Sequence, residues 1–184
     1  MRILITLMTV LASAFAAVSA SGAAVPEPAC VPAAKDTRWT WPLGITGVRA
    51  GPTILRAFEP PPHRWDAGHR GIDLAGRLAD PVRAAGPGVV LYAGRLFDRG
   101  VVVIGHGLLR TSYEPVEASL PVGATVALGE QIGTLDAGHC ASVSCLHWGL
   151  LSGHAHATVY YDPLLLLGCG RLRLEPVMAG PGTR

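Results

Sequence analysis

Short apolar stretches broken by glycine and proline recur between residues 70 and 161, and few long helical periods interrupt them. Such runs, rich in β-branched residues and closely spaced, predict the strands of one domain made of packed antiparallel sheets. We therefore expect an all-β fold. The predicted strands are Ile72–Ala75, Gly88–Ala93, Gly100–Gly105, Leu108–Tyr113, Gln131–Leu135, Leu146–Leu151 and Thr158–Tyr161.

The first 24 residues have the pattern of a secretory signal peptide. Arg2 precedes an apolar run that ends at Val18, and small residues follow, so cleavage is expected after Ala20 or Ala24. An uncleaved membrane anchor is the alternative, but the run is short for a bilayer that needs about 20 apolar residues. The expected location is outside the cytoplasmic membrane, either secreted or in the cell envelope.

The remainder divides into three parts by composition. Residues 25–38 are rich in proline and alanine and predict a linker, residues 39–168 form the predicted domain, and residues 169–184 form a tail without a clear period. Asp162 and the proline after it precede four leucines, which predicts a short terminal helix capped by the aspartate. The formal net charge is only +2, so no nucleic-acid partner is indicated. We expect a monomer.

Two distant motifs offer metal ligands. His69 and Asp73 flank Gly71, which favours a turn leading into a strand, and His147 lies within a predicted strand. Two nitrogens and one oxygen are the ligands of an open zinc site that keeps water in the fourth position. A buried histidine hydrogen-bonded to a carboxylate is the simpler alternative. Strand alternation puts the side chains of Cys145 and His147 on the same face.

The four cysteines are an even number in a chain expected to be exported, which favours disulfides. Cys140 and Cys145 are close enough to close a small loop, and Cys30 with Cys169 would then tie the linker to the end of the domain. Sequence alone also allows the two other pairings. A free Cys145 thiolate would instead complete a closed, structural four-ligand metal site.

A series of motifs lies in register within residues 40–168, namely His69–Ala75, Pro81–Ala85, Gly88–Val90, Val101–Gly107, Arg110–Tyr113, Val122–Val126, Leu146–Gly149 and Asp162–Pro163. This series resembles the lysostaphin/LytM-type zinc metallopeptidases. The resemblance implies a small antiparallel β-sandwich or barrel-like domain (a duplicated hybrid motif) and a substrate in the peptide stem or cross-bridge of bacterial peptidoglycan. It also places one zinc ion on His69, Asp73 and His147.

The chain departs from this family at the two helper histidines that act on the attacking water. Their matched positions hold Cys145 and Pro115, and neither proline nor a disulfide-bonded cysteine can transfer a proton. Losing a general acid or base costs about 10²–10⁴-fold in rate. Glu114 and Glu117 are candidate replacement bases, although exposed glutamates at a strand edge are the simpler interpretation. His139, beside the expected disulfide loop, is a candidate to lean over the metal.

Three functions follow from these observations. The first is an exported zinc endopeptidase of cell-wall peptides. The second is an inactive module of the same fold that binds peptidoglycan or regulates a partner hydrolase, and the third is a purely structural exported domain. Cys145 and Pro115 favour the second function, whereas the intact trio of His69, Asp73 and His147 favours the first.

Overall fold

The computed structural model describes residues 38–44, 51–141 and 143–169. The predicted signal peptide, nearly all of the predicted linker with Cys30, and most of the tail lie outside these ranges. No helix within them is long and apolar enough to cross a membrane. The strands are β1 (Ile54–Arg56), β2 (Gly71–Ala75), β3 (Pro81–Arg83), β4 (Gly88–Leu96), β5 (Arg99–His106), β6 (Leu109–Glu114), β7 (Val116–Ala118), β8 (Thr125–Val126), β9 (Gln131–Leu135), β10 (Cys145–Ser152) and β11 (Val159–Tyr161).

The strands form two antiparallel sheets. The larger sheet has eight strands in the order β1-β2-β10-β6-β5-β4-β8, with β11 also paired to β10, and the smaller sheet has the order β3-β9-β7. Every pairing between these strands is antiparallel. The prediction of a small antiparallel all-β domain is confirmed. The described strands do not close into a barrel.

Strand β10 lies in the interior of the larger sheet, between β2 and β6, and nearly all of it is buried. Leu146 and Trp148 point into the hydrophobic core, where residues of both sheets form one cluster. Alternation along the strand therefore directs Cys145 and His147 to the opposite face. Because β10 is covered on both faces, its side chains are held more tightly than those of an edge strand.

A chain of hydrogen bonds crosses the core behind β6. The Ala85 N–H donates to the Tyr113 hydroxyl (3.0 Å), which lies 2.8 Å from the Thr111 hydroxyl. His106 Nε2 is 2.8 Å from the Thr111 hydroxyl, and His106 Nδ1 is 2.7 Å from the Pro87 carbonyl oxygen. The carbonyl can only accept, so a neutral His106 donates from Nδ1 and accepts from Thr111 through Nε2.

The predicted terminal helix is a single 3-10 segment, Pro163–Leu167. The Asp162 carboxylate accepts a hydrogen bond from the Leu164 N–H at 2.9 Å, so it caps the segment as expected. Gly168 ends the segment with φ of 72°, a conformation that glycine adopts without steric cost. Leu166 and Leu167 are buried and anchor the segment to the core.

Candidate metal centre

The register of two neighbouring strands brings the predicted ligands together. His147 in β10 lies directly opposite Asp73 in β2. His69 precedes β2 and is fixed by two backbone hydrogen bonds with Glu59, of 2.7 and 2.9 Å. His69 Nε2 and His147 Nδ1 lie 3.0 and 2.9 Å from Asp73 Oδ1, and 3.0 Å from each other. All three side chains are buried, with residue exposures of 4%, 5% and 8% for His69, Asp73 and His147.

A backbone hydrogen bond on the side of the ring away from Asp73 fixes the orientation of His69. Its Nδ1 lies 2.7 Å from the Ala57 carbonyl oxygen, which can only accept, so Nδ1 carries the proton. In the neutral ring the Nε2 lone pair then faces Asp73 and His147. A backbone acceptor behind a histidine is how proteins fix the tautomer and orientation of a metal-binding ring.

The donor atoms have the chemistry of a cation site. Burial by itself would raise the pKa of the Asp73 carboxyl, but the imidazoles of His139, His147 and His69 outweigh that effect and hold this pKa well below its usual range. An ionised oxygen therefore lies about 3 Å from the bare Nε2 of His69. Electron pairs converging in this way fit a metal ion, so this His/Asp group could bind one.

Gly71 allows the two strands to approach closely at this point. A Cβ at Gly71 would lie 2.4 Å from the Trp148 carbonyl oxygen and 2.6 Å from His147 Nε2. No larger residue fits there without moving the backbone of β10 or the imidazole. The glycine between His69 and Asp73 is thus needed for the packing of His147 as well as for the turn into β2.

A third imidazole joins the group as its fourth residue. His139 Nε2 lies 3.0 Å from Asp73 Oδ1, and its side chain is 18% exposed. The ligand atoms of His69, Asp73, His139 and His147 all lie within 4.8 Å of one another. His139 was a candidate in the sequence only because of its place beside the disulfide loop. Its contact with Arg99 carried no sequence signal, since the two residues are 40 positions apart.

Cys145 is joined to Cys140 by a disulfide, which is the pairing that the sequence favoured. The alternative of a Cys145 thiolate ligand is therefore wrong. Cys169 is described, but the proposed partner Cys30 lies outside the described residues, so that pairing stays a prediction.

The two candidate glutamates lie apart from the converging donor atoms. Glu114 is opposite His147 in the pairing of β6 with β10, yet its carboxylate is not part of the four-residue group. Glu117 is exposed in β7 and lies opposite Thr134 in the smaller sheet. Pro115 follows the last residue of β6, so the position matched to a helper histidine offers no ionisable group.

The fold and the His/Asp group together define a metallopeptidase-like β-domain, and the sequence identifies its family. The model of peptidase family M23 matches residues 67–159, which is half of the chain. The chain belongs to this family.

Curated relatives include the uncharacterised proteins Rv2891 of Mycobacterium tuberculosis and Mb2915 of Mycobacterium bovis. Each is 47% identical to this chain over 147 residues, which is 78% of this chain and 57% of the relative. The chain therefore spans a little over half the length of these relatives.

Two solved structures illustrate the likeness of fold. The catalytic domain of the antimicrobial peptidase lysostaphin from Staphylococcus simulans superposes with a TM-score of 0.52 and 22% identity, over 62% of this chain and 91% of that domain. Csd3 of Helicobacter pylori superposes with a TM-score of 0.55 and 21% identity, over 77% of this chain and 37% of that protein.

Proposed function

We propose that this chain is an exported zinc endopeptidase that cleaves peptide bonds of bacterial peptidoglycan, with His69, Asp73 and His147 as the zinc ligands. The observation that carries the proposal is the convergence of their three donor atoms within 3.0 Å of one another. Membership of a peptidase family supports the reaction class. Zinc, when bound, polarises a peptide carbonyl and lowers the pKa of its water.

The chain's own residues prepare the site for this ion. The Ala57 carbonyl orients His69 and raises the basicity of its Nε2. The Asp73 carboxylate supplies a negative charge that offsets part of the charge of a divalent cation. Burial of both residues keeps bulk water away and strengthens these interactions.

Two imidazoles and one carboxylate form a ligand set that zinc accepts in catalytic sites. The disulfide removes Cys145 from the possible ligands, so it cannot close the site as a thiolate. A disulfide also suits an oxidising compartment, which, together with the signal-peptide pattern predicted over residues 1–24, supports export.

A second function is favoured by the residues at the helper positions. Pro115 and the disulfide-bonded Cys145 transfer no proton, so the chain would serve as a peptidoglycan-binding module or as a regulator of a partner hydrolase. In that case the same site would bind stem or cross-bridge peptides and leave them intact.

Digestion of purified sacculi separates the two functions. Zinc-loaded protein is incubated with sacculi, and the released muropeptides are measured by liquid chromatography. The peptidase proposal expects release that a chelator abolishes and added zinc restores, and that Asp73→Ala lacks. His154→Ala is the matched control because His154 is exposed and outside the four-residue group. Cosedimentation with sacculi and no release at all would contradict the peptidase and support the binding module.

A further inference from the structure

A third imidazole, outside the proposed ligand set, reaches the carboxylate oxygen at the centre of the site. His139 Nε2 lies 3.0 Å from Asp73 Oδ1, and the His139 and His147 rings pack with their centroids 4.9 Å apart. Geometry alone allows two roles for this ring, a fourth metal ligand through a bare Nε2 or a hydrogen-bond donor through a protonated Nε2. The group behind the ring decides between them.

Arg99 lies behind His139. Its NH1 group is 2.9 Å from His139 Nδ1. A guanidinium has only donors and keeps its proton in proteins, so Nδ1 must be the acceptor. The neutral ring therefore carries its proton on Nε2 and donates to Asp73. His139 is therefore the opposite tautomer to His69, whose Nδ1 carries the proton and faces a carbonyl oxygen and whose Nε2 is bare.

Arg99 is itself fixed in this orientation. The Asp98 carboxylate accepts hydrogen bonds from Arg99 Nε at 2.9 Å and from its NH2 group at 3.4 Å. These two contacts fix one edge of the guanidinium. The remaining NH1 group points at His139. The Arg99 side chain is only 26% exposed, and partial burial strengthens both contacts.

A disulfide and a backbone hydrogen bond hold residues 136–140, the segment that carries His139, beside the site. Cys140, the next residue, is joined to Cys145 at the start of β10. The Asp136 N–H donates to the Pro115 carbonyl oxygen at 3.1 Å, which ties the beginning of the segment to the end of β6. The segment is thus held at one end by Pro115 and at the other by Cys145, the two residues at the positions matched to the helper histidines, and its own histidine reaches the site.

From these contacts we infer that His139 is the N–H donor of the metal centre, with its tautomer set by Arg99, and is not a fourth ligand. This inference rests on the proposed function. Nε2 cannot bind a metal while it holds a proton, so the ion would keep an open position beside His69, Asp73 and His147. The ligand that His139 would take is the carbonyl oxygen of a peptide substrate, which would compete with Asp73 for the single Nε2–H, because an oxygen gaining negative charge is stabilised by a fixed N–H donor.

The tautomer is measured directly by long-range ¹H–¹⁵N correlation spectra of histidine-labelled full-length protein, with and without zinc, with His139 assigned from its loss in His139→Gln. The expected result is a proton on Nε2 and a bare Nδ1 in both states. In Arg99→Leu a second tautomer should appear. The control is Arg95→Leu in β4, the strand that pairs with β5 of Arg99, and it should leave the spectrum unchanged. Loss of the Nε2 proton when zinc is added would overturn the inference.

Zinc affinity gives an independent readout. His139→Gln and His139→Leu should each still bind one zinc, with an affinity lowered by no more than about 10–100-fold, the cost of changing a residue that supports a ligand. A loss well beyond about 100-fold in both variants would make His139 a ligand and overturn the inference. Unchanged melting temperatures show that the variants are folded.

The catalytic arm compares the same two variants on purified sacculi. His139→Leu should lower muropeptide release by about 10²-fold, the cost of removing one N–H donor to a developing oxyanion. His139→Gln, which keeps an N–H group, should restore part of that loss; no difference between the two variants would count against the donor role. If the parent binds zinc but releases nothing, the proposed function fails, while the spectra still decide the state of His139.

Discussion

Removing the Cys140–Cys145 disulfide should destabilise the fold by a predictable amount. The bond spans a sequence separation of only 5. For so short a loop, the chain-entropy relation gives a loss of about 2 kcal/mol in the free energy of unfolding. The suitable variant is Cys140→Ser with Cys145→Ala, because Cys145 is 2% exposed and a hydroxyl buried there without a partner would add its own cost.

The destabilisation should also have a local signature. Residues 136–144 connect β9 to β10, and the disulfide fixes their far end. Without it, the backbone amides of this segment should exchange with solvent faster, and the contact of His139 with Asp73 should loosen. Strands β2 and β10 keep their ladder, so their amides should stay protected up to the global unfolding free energy.

Urea unfolding measures the first effect and native-state hydrogen exchange the second. The matched control is Val143→Ala in the same loop. Val143 is 53% exposed, so this change should alter the unfolding free energy by less than about 0.5 kcal/mol. A double variant as stable as the parent, with unchanged exchange over residues 136–144, would refute the reasoning about how His139 is held.

Two further predictions concern packing and pH. Gly71→Ala should cost about 1–3 kcal/mol of stability and weaken zinc binding, because its Cβ would meet the Trp148 carbonyl oxygen. Gly94→Ala is the control in urea unfolding and zinc titrations, because its Cβ would lie 3.5 Å from its nearest neighbour. Equal behaviour of the two variants would contradict the steric argument. Burial lowers the pKa of His106 and outweighs the Pro87 carbonyl, which raises it. The unfolded chain therefore binds more protons between the folded pKa and the ordinary value, so this part of the stability is present above about pH 6.5 and is lost as the pH falls below it. The difference between parent and His106→Gln in urea midpoints should show this slope, and a difference independent of pH would argue against it.

The longer strands were within reach of the sequence, and so was the grouping of His69, Asp73 and His147. Alternation of apolar and polar positions predicted β10 and put Cys145 and His147 on one face, as the structure has them. The short strands β1, β3, β7 and β8 were missed, because two or three residues such as Thr125–Val126 carry no periodic signal. Strand β4 continues past its predicted end at Ala93 to Leu96, because the hairpin with β5 keeps its register up to Arg99.

The groups that set proton positions could not be predicted. The Ala57 carbonyl behind His69 is a backbone atom, so no residue type marks it. Arg99 meets His139 only because β5 and the segment before β10 come together in the folded sheet. Such contacts depend on tertiary structure, whereas spacing within one motif, as between His69 and Asp73, depends on local geometry.

Metal analysis of the purified protein tests the central claim most directly. The account predicts one zinc per chain in the parent and in His154→Ala, and loss of that zinc in Asp73→Ala and in His147→Ala. A folded parent that binds no zinc at stoichiometric concentration, or an Asp73→Ala variant that keeps its full zinc content, would contradict it.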